Sequence, residues 1–184
     1  VEALNRNVLA SGPASYIDRA IADSRAWVGQ SIRPTAGLSE AASELYRRSL
    51  LIVRSQIDHH GAIIAANDHD VTERATDHYS YLWPRDGAFV ANALDRAGYP
   101  EFSRKFFALC SRIVHERGYF LQKYNPDGSV GSGWHSYWDK YARRPMYPIQ
   151  EDETALVLWA LWEHYSLHPD ERHIRELYQG LIVR

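Results

Sequence analysis

The residues Tyr79 to Gly98, YSYLWPRDGAFVANALDRAG, hold a knot of aromatic and charged side chains together with the start and the stop of a helix. Pro84 suits a first helical turn, where its missing N–H costs nothing and its fixed φ is already helical. From Gly87 the apolar spacing runs through Phe89, Ala93 and Ala97 to Gly98, the residue type that closes helices in the left-handed conformation. Arg85 and Asp86 therefore stand in a first turn, beside unpaired N–H groups and the positive end of the dipole. Two readings of the pair are open. An Asp beside an Arg can take two adjacent sugar hydroxyls, as acceptor and donor, while a neighbouring ring packs on the sugar face. Alternatively, Asp86 satisfies the helix start and Arg85 is a surface charge.

Outward from this stretch the pattern stays helical. Ser15 to Val28 and Ser39 to His60 read as helices, the second with Ser39 at its N-cap and an apolar stripe of Leu50, Val53 and Ile57. Pro34 and Gly37 mark the break between them. Gly61 to Ala66 is short and apolar, an extended segment, and 67–80 is a polar loop. Glu101 to Arg117 repeats the helical spacing through Phe102, Phe106, Leu109 and Ile113, with Gly118 as its stop. Asn125-Pro126-Asp127-Gly128 is a strong turn signal and predicts a small hairpin over Tyr119 to Val130. Gln150 to Leu167 is helical, with Ala155, Leu158, Trp159, Trp162 and Tyr165 along one face, and a further helix begins at Asp170. The prediction is an all-α array of about six paired helices, with a small β-hairpin in the inter-helix loops.

Composition narrows the function. Lys and Arg total 21 against 23 Asp and Glu in 184 residues, so no strong field exists to gather phosphates or anionic lipid, and nucleic acid and membranes are not expected partners. No apolar run approaches the ~20 residues that span a bilayer. The lone cysteine, Cys110, permits no internal disulfide, which fits a reducing compartment without requiring one; flanked by Phe106, Phe107 and Ile113, it reads as a small core residue. Six Trp, 12 Tyr and 5 Phe make the chain 12% aromatic, many of them beside polar residues. Such rings stack on the C–H faces of sugars; they equally fill cores. The absence of an initiator Met and the helical reading that still runs at Arg184 point to a piece of a longer protein, a single partial domain over 1–184 with 1–14 a candidate linker.

Three more groups carry chemistry. Gln150-Glu151-Asp152-Glu153 opens an apolar helix; the dipole alone favours acids there, but three adjacent acids do not all face solvent, and Asp152 lies on a different face from Glu151 and Glu153. Gly131 to Trp138, GSGWHSYW, is a loop whose small residues let Trp134 and Trp138 swing into a cleft, or else plug a bundle end. His59, His60, Asp68, His69, Asp70, Asp77 and His78 invite a metal, yet no ligand spacing such as HExxH is present and Asp and His commonly cap loops. No metal and no cofactor is expected.

Taken in series, Tyr-x-Tyr-x-Trp-x-Arg-Asp before an apolar helix, then Asn-Pro-Asp-Gly-Ser, Gly-Ser-Gly-Trp and Gln-x-Asp at the head of another helix resemble glycoside hydrolase family 15, the glucoamylases, glucodextranases and some bacterial trehalases. The likeness runs from about Ile63 to Trp162; residues 1–60 are compatible with the family's first helices. It implies roughly half of an (α/α)6 barrel and an inverting, exo-acting hydrolysis of α-glucosides. On that pattern Arg85 and Asp86 look like the pair that holds the outer hydroxyls of the non-reducing-end glucose, Tyr79 like the ring near the anomeric centre, and Trp83 like a pocket wall. Gln150 and Asp152 look like the family's Gln-x-Asp. The family's preceding Trp lies closer to that motif than Trp134 or Trp138 does, so either can fill its place. No Trp-Glu-Glu segment of the kind that carries the family's general acid occurs; Trp162-Glu163 follows Gln-x-Asp too soon. The acid and base are therefore expected beyond Arg184, the partners being an α-glucan or α-glucoside and the remainder of the catalytic domain. A non-catalytic helical carbohydrate-binding or scaffold domain is the open alternative.

Overall fold

The computed structural model describes residues 2–33, 35–68, 79–131, 138–139, 141, 143–145 and 148–184, with backbone alone at 3, 4, 138, 139, 144 and 145. The protein is all-α, as the spacing predicts, with seven α-helices among the described residues. The chain forms two compact units, Val1–Ile52 and Val53–Arg184. No helix among the described residues is long and apolar enough to cross a membrane.

The first unit holds α1 (Glu2–Ser11), α2 (Pro13–Val28) and most of α3 (Glu40–Ser55). Gly12, at φ 76, turns the chain between α1 and α2, and Pro13 opens α2 where its ring is harmless. Helix α1 covers residues that the sequence leaves open as a linker. A cleft of about 910 Å³ along α2 and α3 is lined by Ile17, Ile21, Arg25, Tyr46, Arg47 and Leu51, among others.

The second unit carries α4 (Pro84–Ala97), α5 (Pro100–Ile113), α6 (Glu151–Leu167) and α7 (Glu171–Leu177), which runs into a wider helical turn at Tyr178–Ile182. Helix α4 is central, packed against both α5 and α6. Its inner stripe is small: Gly87, Ala88 and Ala91 are buried, and a Cβ at Gly87 would run into the Phe106 ring of α5. Phe106, Phe107, Leu109, Cys110, Val157, Ala160 and Leu161 close the core over that stripe. Burial of each such side chain contributes roughly 1.5–3 kcal/mol for the larger ones. Cys110 is a fully buried core residue, as expected, and its thiol is pushed up by burial.

Several boundaries differ from the prediction for identifiable reasons. Helix α3 stops at Ser55, not His60, because the Asp58 carboxylate accepts the N–H groups of His60 (2.9 Å) and Ala62 (2.8 Å), and Gly61 (φ 100) reverses the chain against the backbone of Lys105. Ile57 then pairs with Ile63, and the predicted extended segment is present: Ala65 and Ala66 donate to the carbonyls of Tyr81 (2.9 Å) and Tyr79 (3.1 Å). Helix α5 stops at Ile113, short of Arg117, since Val114 goes extended and His115 to Gly118 form a turn. Gly98 closes α4 as expected, at φ 97, with Tyr99 donating to Leu94 at 2.9 Å.

The predicted hairpin over Tyr119 to Val130 is reduced to its turn and one bridge. Gly128 donates to Asn125 (2.9 Å) and Asp127 accepts from the N–H of Ser129 (2.9 Å), while Tyr124 pairs with Val130 on one side and Leu82 on the other. The one two-residue antiparallel ladder among the described residues lies later, β1 (Trp138–Asp139) with β2 (Arg144–Pro145). Inner faces also shift. Phe89, predicted on the α4 stripe, is exposed and meets Trp159 at 5.8 Å between rings, and α6 turns inward Glu153, Val157, Ala160, Leu161 and His164 instead of the Leu158–Trp162 face.

Candidate active site

Two helix heads meet in the second unit. Trp83 is the N-cap of α4, Pro84 its first residue, and Arg85 follows; Gln150 is the N-cap of α6, followed by Glu151, Asp152 and Glu153. The first N–H groups of a helix lack internal partners, so each head is a donor surface with a partial positive charge. The acids of α6 and Asp86 of α4 answer that charge.

The guanidinium of Arg85 is the hub. Its Nη1 donates to both carboxylate oxygens of Asp152, at 3.0 and 3.2 Å. Its Nε lies 3.6 Å from Asp86 Oδ2, and its Nη2 lies 3.9 Å from Glu153 Oε1. Each nitrogen thus faces a different carboxylate. The backbone N–H of Arg85 also donates a short hydrogen bond to the other Glu153 oxygen. Burial pulls the guanidinium's pKa down, but the bond to Asp152 and the surrounding carboxylates outweigh it, so Arg85 stays charged.

The carboxylates divide by exposure. The Asp152 side chain is 51% exposed and that of Asp86 45%, whereas Glu153 is wholly buried. Burial drives the Glu153 carboxyl up to about 7, although the Arg85 N–H and guanidinium pull the other way. The acid that turns inward is therefore Glu153, a residue absent from the sequence-predicted set, and Asp152 faces the rim. Glu153 shares the spacing of Val157, Ala160, Leu161 and His164, which is the signal that could have found it.

The aromatic residues form a second cluster leading into α4. Tyr79 stacks on Trp83 with centroids 5.7 Å apart, and Tyr81 meets Trp83 edge-on at 6.0 Å. Trp83 and Tyr81 are buried; Tyr79 is 53% exposed and presents the outer ring. Beneath them, buried Lys123 sets its ammonium 4.5 Å from the Tyr81 centroid and 5.5 Å from that of Trp83. Gly131 packs where a Cβ would lie 3.0 Å from Lys123 and 3.2 Å from Tyr81.

The structure brings together Arg85, Asp86 and Asp152, and separately Tyr79 and Trp83. Gln150 caps α6 through its backbone, and its buried Oε1 has no hydrogen-bond partner among the described residues. Trp134 lies outside the described residues, and Trp138 is described by its backbone alone, in β1. Of the metal candidates, His69, Asp70, Asp77 and His78 also lie outside them; among the described residues no group of three or more His, Cys, Asp or Glu is placed to hold a metal ion. The cleft of the first unit borders none of the predicted site residues.

A buried polar pair that sequence reasoning missed ties α4 to α6 farther down. His164 Nδ1 and Asp95 Oδ1 are 2.9 Å apart, both fully enclosed, with Phe107 edge-on to the imidazole.

This arrangement suits recognition of a neutral polyol: a fixed donor fork, two rim carboxylates as acceptors, and an exposed ring. A protein of Methanocaldococcus jannaschii described as an uncharacterized glycosyl hydrolase is 26% identical to this chain over 154 residues, 84% of this chain and 22% of that protein. The chain therefore spans less than a quarter of that relative's length. No family model and no solved structure matches the chain.

Proposed function

We propose that this chain supplies the sugar-gripping part of a glycoside hydrolase, one that cleaves α-glucosides from the non-reducing end with inversion. The observation that carries the reading is the Arg85 fork, set between Asp86 and Asp152 at the meeting of two helix heads. Likeness to a protein described as a glycosyl hydrolase supports the class, and the resemblance of the motifs to family 15 supports the finer assignment. Arg85, Asp86 and Asp152 hold the outer hydroxyls of the terminal glucose; Tyr79 lies along its face above Trp83; Gln150 and the loop Trp134 or Trp138 complete the pocket.

In an inverting glycosidase one carboxylic acid protonates the leaving oxygen while a carboxylate on the opposite face activates water, the two held about 6.5–9.5 Å apart. Arg85, Asp86 and Asp152 are engaged with one another and supply recognition rather than proton transfer. The acid and base come from the remainder of the catalytic domain.

Calorimetric titration with maltose, isomaltose and trehalose tests the reading, alongside a glucose-release assay. Binding that disappears in Arg85→Ala, without glucose release by this chain, is expected. Absence of binding to all three sugars overturns the carbohydrate reading, and glucose release by the 184 residues overturns the assignment of acid and base elsewhere.

A further inference from the structure

We infer that Glu153 is the positioning residue of the sugar grip, holding Arg85 from behind so that Asp86 and Asp152 are released to accept sugar hydroxyls. This rests on the carbohydrate reading of the site above. The three carboxylates around the guanidinium are not equivalent. Asp86 and Asp152 are about half exposed, so water competes for them and their attraction to Arg85 is screened. They can exchange the guanidinium for a hydroxyl at little cost. Glu153 is wholly enclosed, and the same charge acts there through a medium of much lower dielectric. One of its oxygens accepts the Arg85 backbone N–H, and the other, which has no hydrogen-bond partner among the described residues, faces Nη2 at 3.9 Å as an ion pair. A carboxylate held this way cannot leave its partner for a ligand.

The placement of Glu153 explains why it stays. It sits in the first turn of α6 and accepts from the first turn of α4, so two helix dipoles converge on it. It thereby sets the spacing between the two heads, and with it the distance from Asp86, on α4, to Asp152, on α6. That distance decides which pair of hydroxyls the two acceptors can span at once.

The tether depends on charge. Facing Glu153 are Arg85 and Asp86 from α4, Asp152 from its own helix, Cys110 from α5 and Tyr124 from the loop beyond α5. Cys110 and Tyr124, both raised by burial, Tyr124 to about 12, stay neutral across the physiological range. Arg85 stays charged. Burial of the Glu153 carboxyl raises it to about 7, into the neutral range. Below that pH it loses its charge and its hold on Nη2 weakens.

Maltose affinity, measured by calorimetry on the 184-residue chain at pH 6 and pH 8, tests this against Glu153→Gln. The amide keeps shape and an acceptor oxygen but carries no charge. If only the ionised form is competent, wild-type affinity falls about tenfold from pH 8 to pH 6. Glu153→Gln, which has no ionised form, is expected to bind more weakly than the wild type does at pH 6, and equally at both pH values. A flat wild-type profile, or one that the variant shares, overturns the inference. A second measurement needs neither sugar nor variant. The NMR shift of the Arg85 backbone amide, followed from pH 5 to 9, should titrate with a midpoint near 7 together with the Glu153 side-chain carboxyl carbon. An Arg85 amide that does not move defeats the tether. If the amide titrates but none of the sugars named above binds, Glu153 still positions Arg85, and it is the carbohydrate reading that falls.

Discussion

The backbone N–H of Arg85, in the first turn of α4, donates to the carboxylate of Glu153, in the first turn of α6. Two helices that bury an apolar seam along their length are thus joined at their heads by a polar contact with no water-exposed carboxylate atom to relax into. The energy of that contact depends on pH, and the dependence can be read in stability as well as in binding.

Folding raises the Glu153 carboxyl from its ordinary 4.5 to about 7, so the folded state binds the proton more tightly than the unfolded one. The stability this group contributes is fully present below pH 4.5 and is lost as pH rises through 7. Glu153→Gln, which cannot ionise, should lack this component. Across that window the variant is expected to gain about 1–3 kcal/mol relative to wild type, measured as the difference in urea-unfolding free energies at pH 5 and pH 8.

Arg85→Lys keeps the positive charge and removes the fork. Only one compact ammonium remains to serve Asp86, Asp152 and Glu153, without the rigid fork that faces each of them from a separate nitrogen. Maltose affinity should fall about tenfold or more, while the far-UV spectrum and the fold stay unchanged. Calorimetry on the folded variant checks it.

Gly87→Ala adds a single methyl group where the Phe106 ring already lies. A glycine-to-alanine change inside a helix ordinarily stabilises it, so the sign here is diagnostic. Thermal and urea denaturation should show a loss of about 1–3 kcal/mol, as overpacking outweighs propensity.

Asp95→Ala removes the partner of His164 inside the α4–α6 seam, where neither group can reach water. The imidazole nitrogen left without its partner costs about 1–3 kcal/mol, which urea unfolding would register. Sugar affinity of the folded variant should be close to wild type, since the pair lies away from the helix heads.

Much of this was legible in the sequence, for local reasons. Pro84 and Gly98 mark the ends of α4, Asp170 begins α7 by accepting the His173 N–H, and Arg85, Asp86 and Asp152 each stand in a first helical turn as read, although nothing local says that the two turns meet. What was not legible is which face of a helix turns inward when both faces are apolar. Helix α6 carries Leu158, Trp159 and Trp162 on one side and Val157, Ala160 and Leu161 on the other, and the aromatic side, the more hydrophobic by inspection, is the exposed one. Glu153 and His164 share the inner side, so choosing the wrong face hid both. The same ambiguity put Phe89 on the inner stripe of α4. A helix end set by a side chain just beyond it, as Asp58 ends α3, likewise leaves no periodic trace.

Lys123 is buried, its ammonium near the Tyr81 and Trp83 rings that lead into α4. Its accessibility to an amine-acylating reagent therefore reports on whether the packing around it is closed. Surface lysines label whenever the reagent meets them; Lys123 labels only when the packing around it opens, so its labelling rate is a clock for opening at this one place in the molecule.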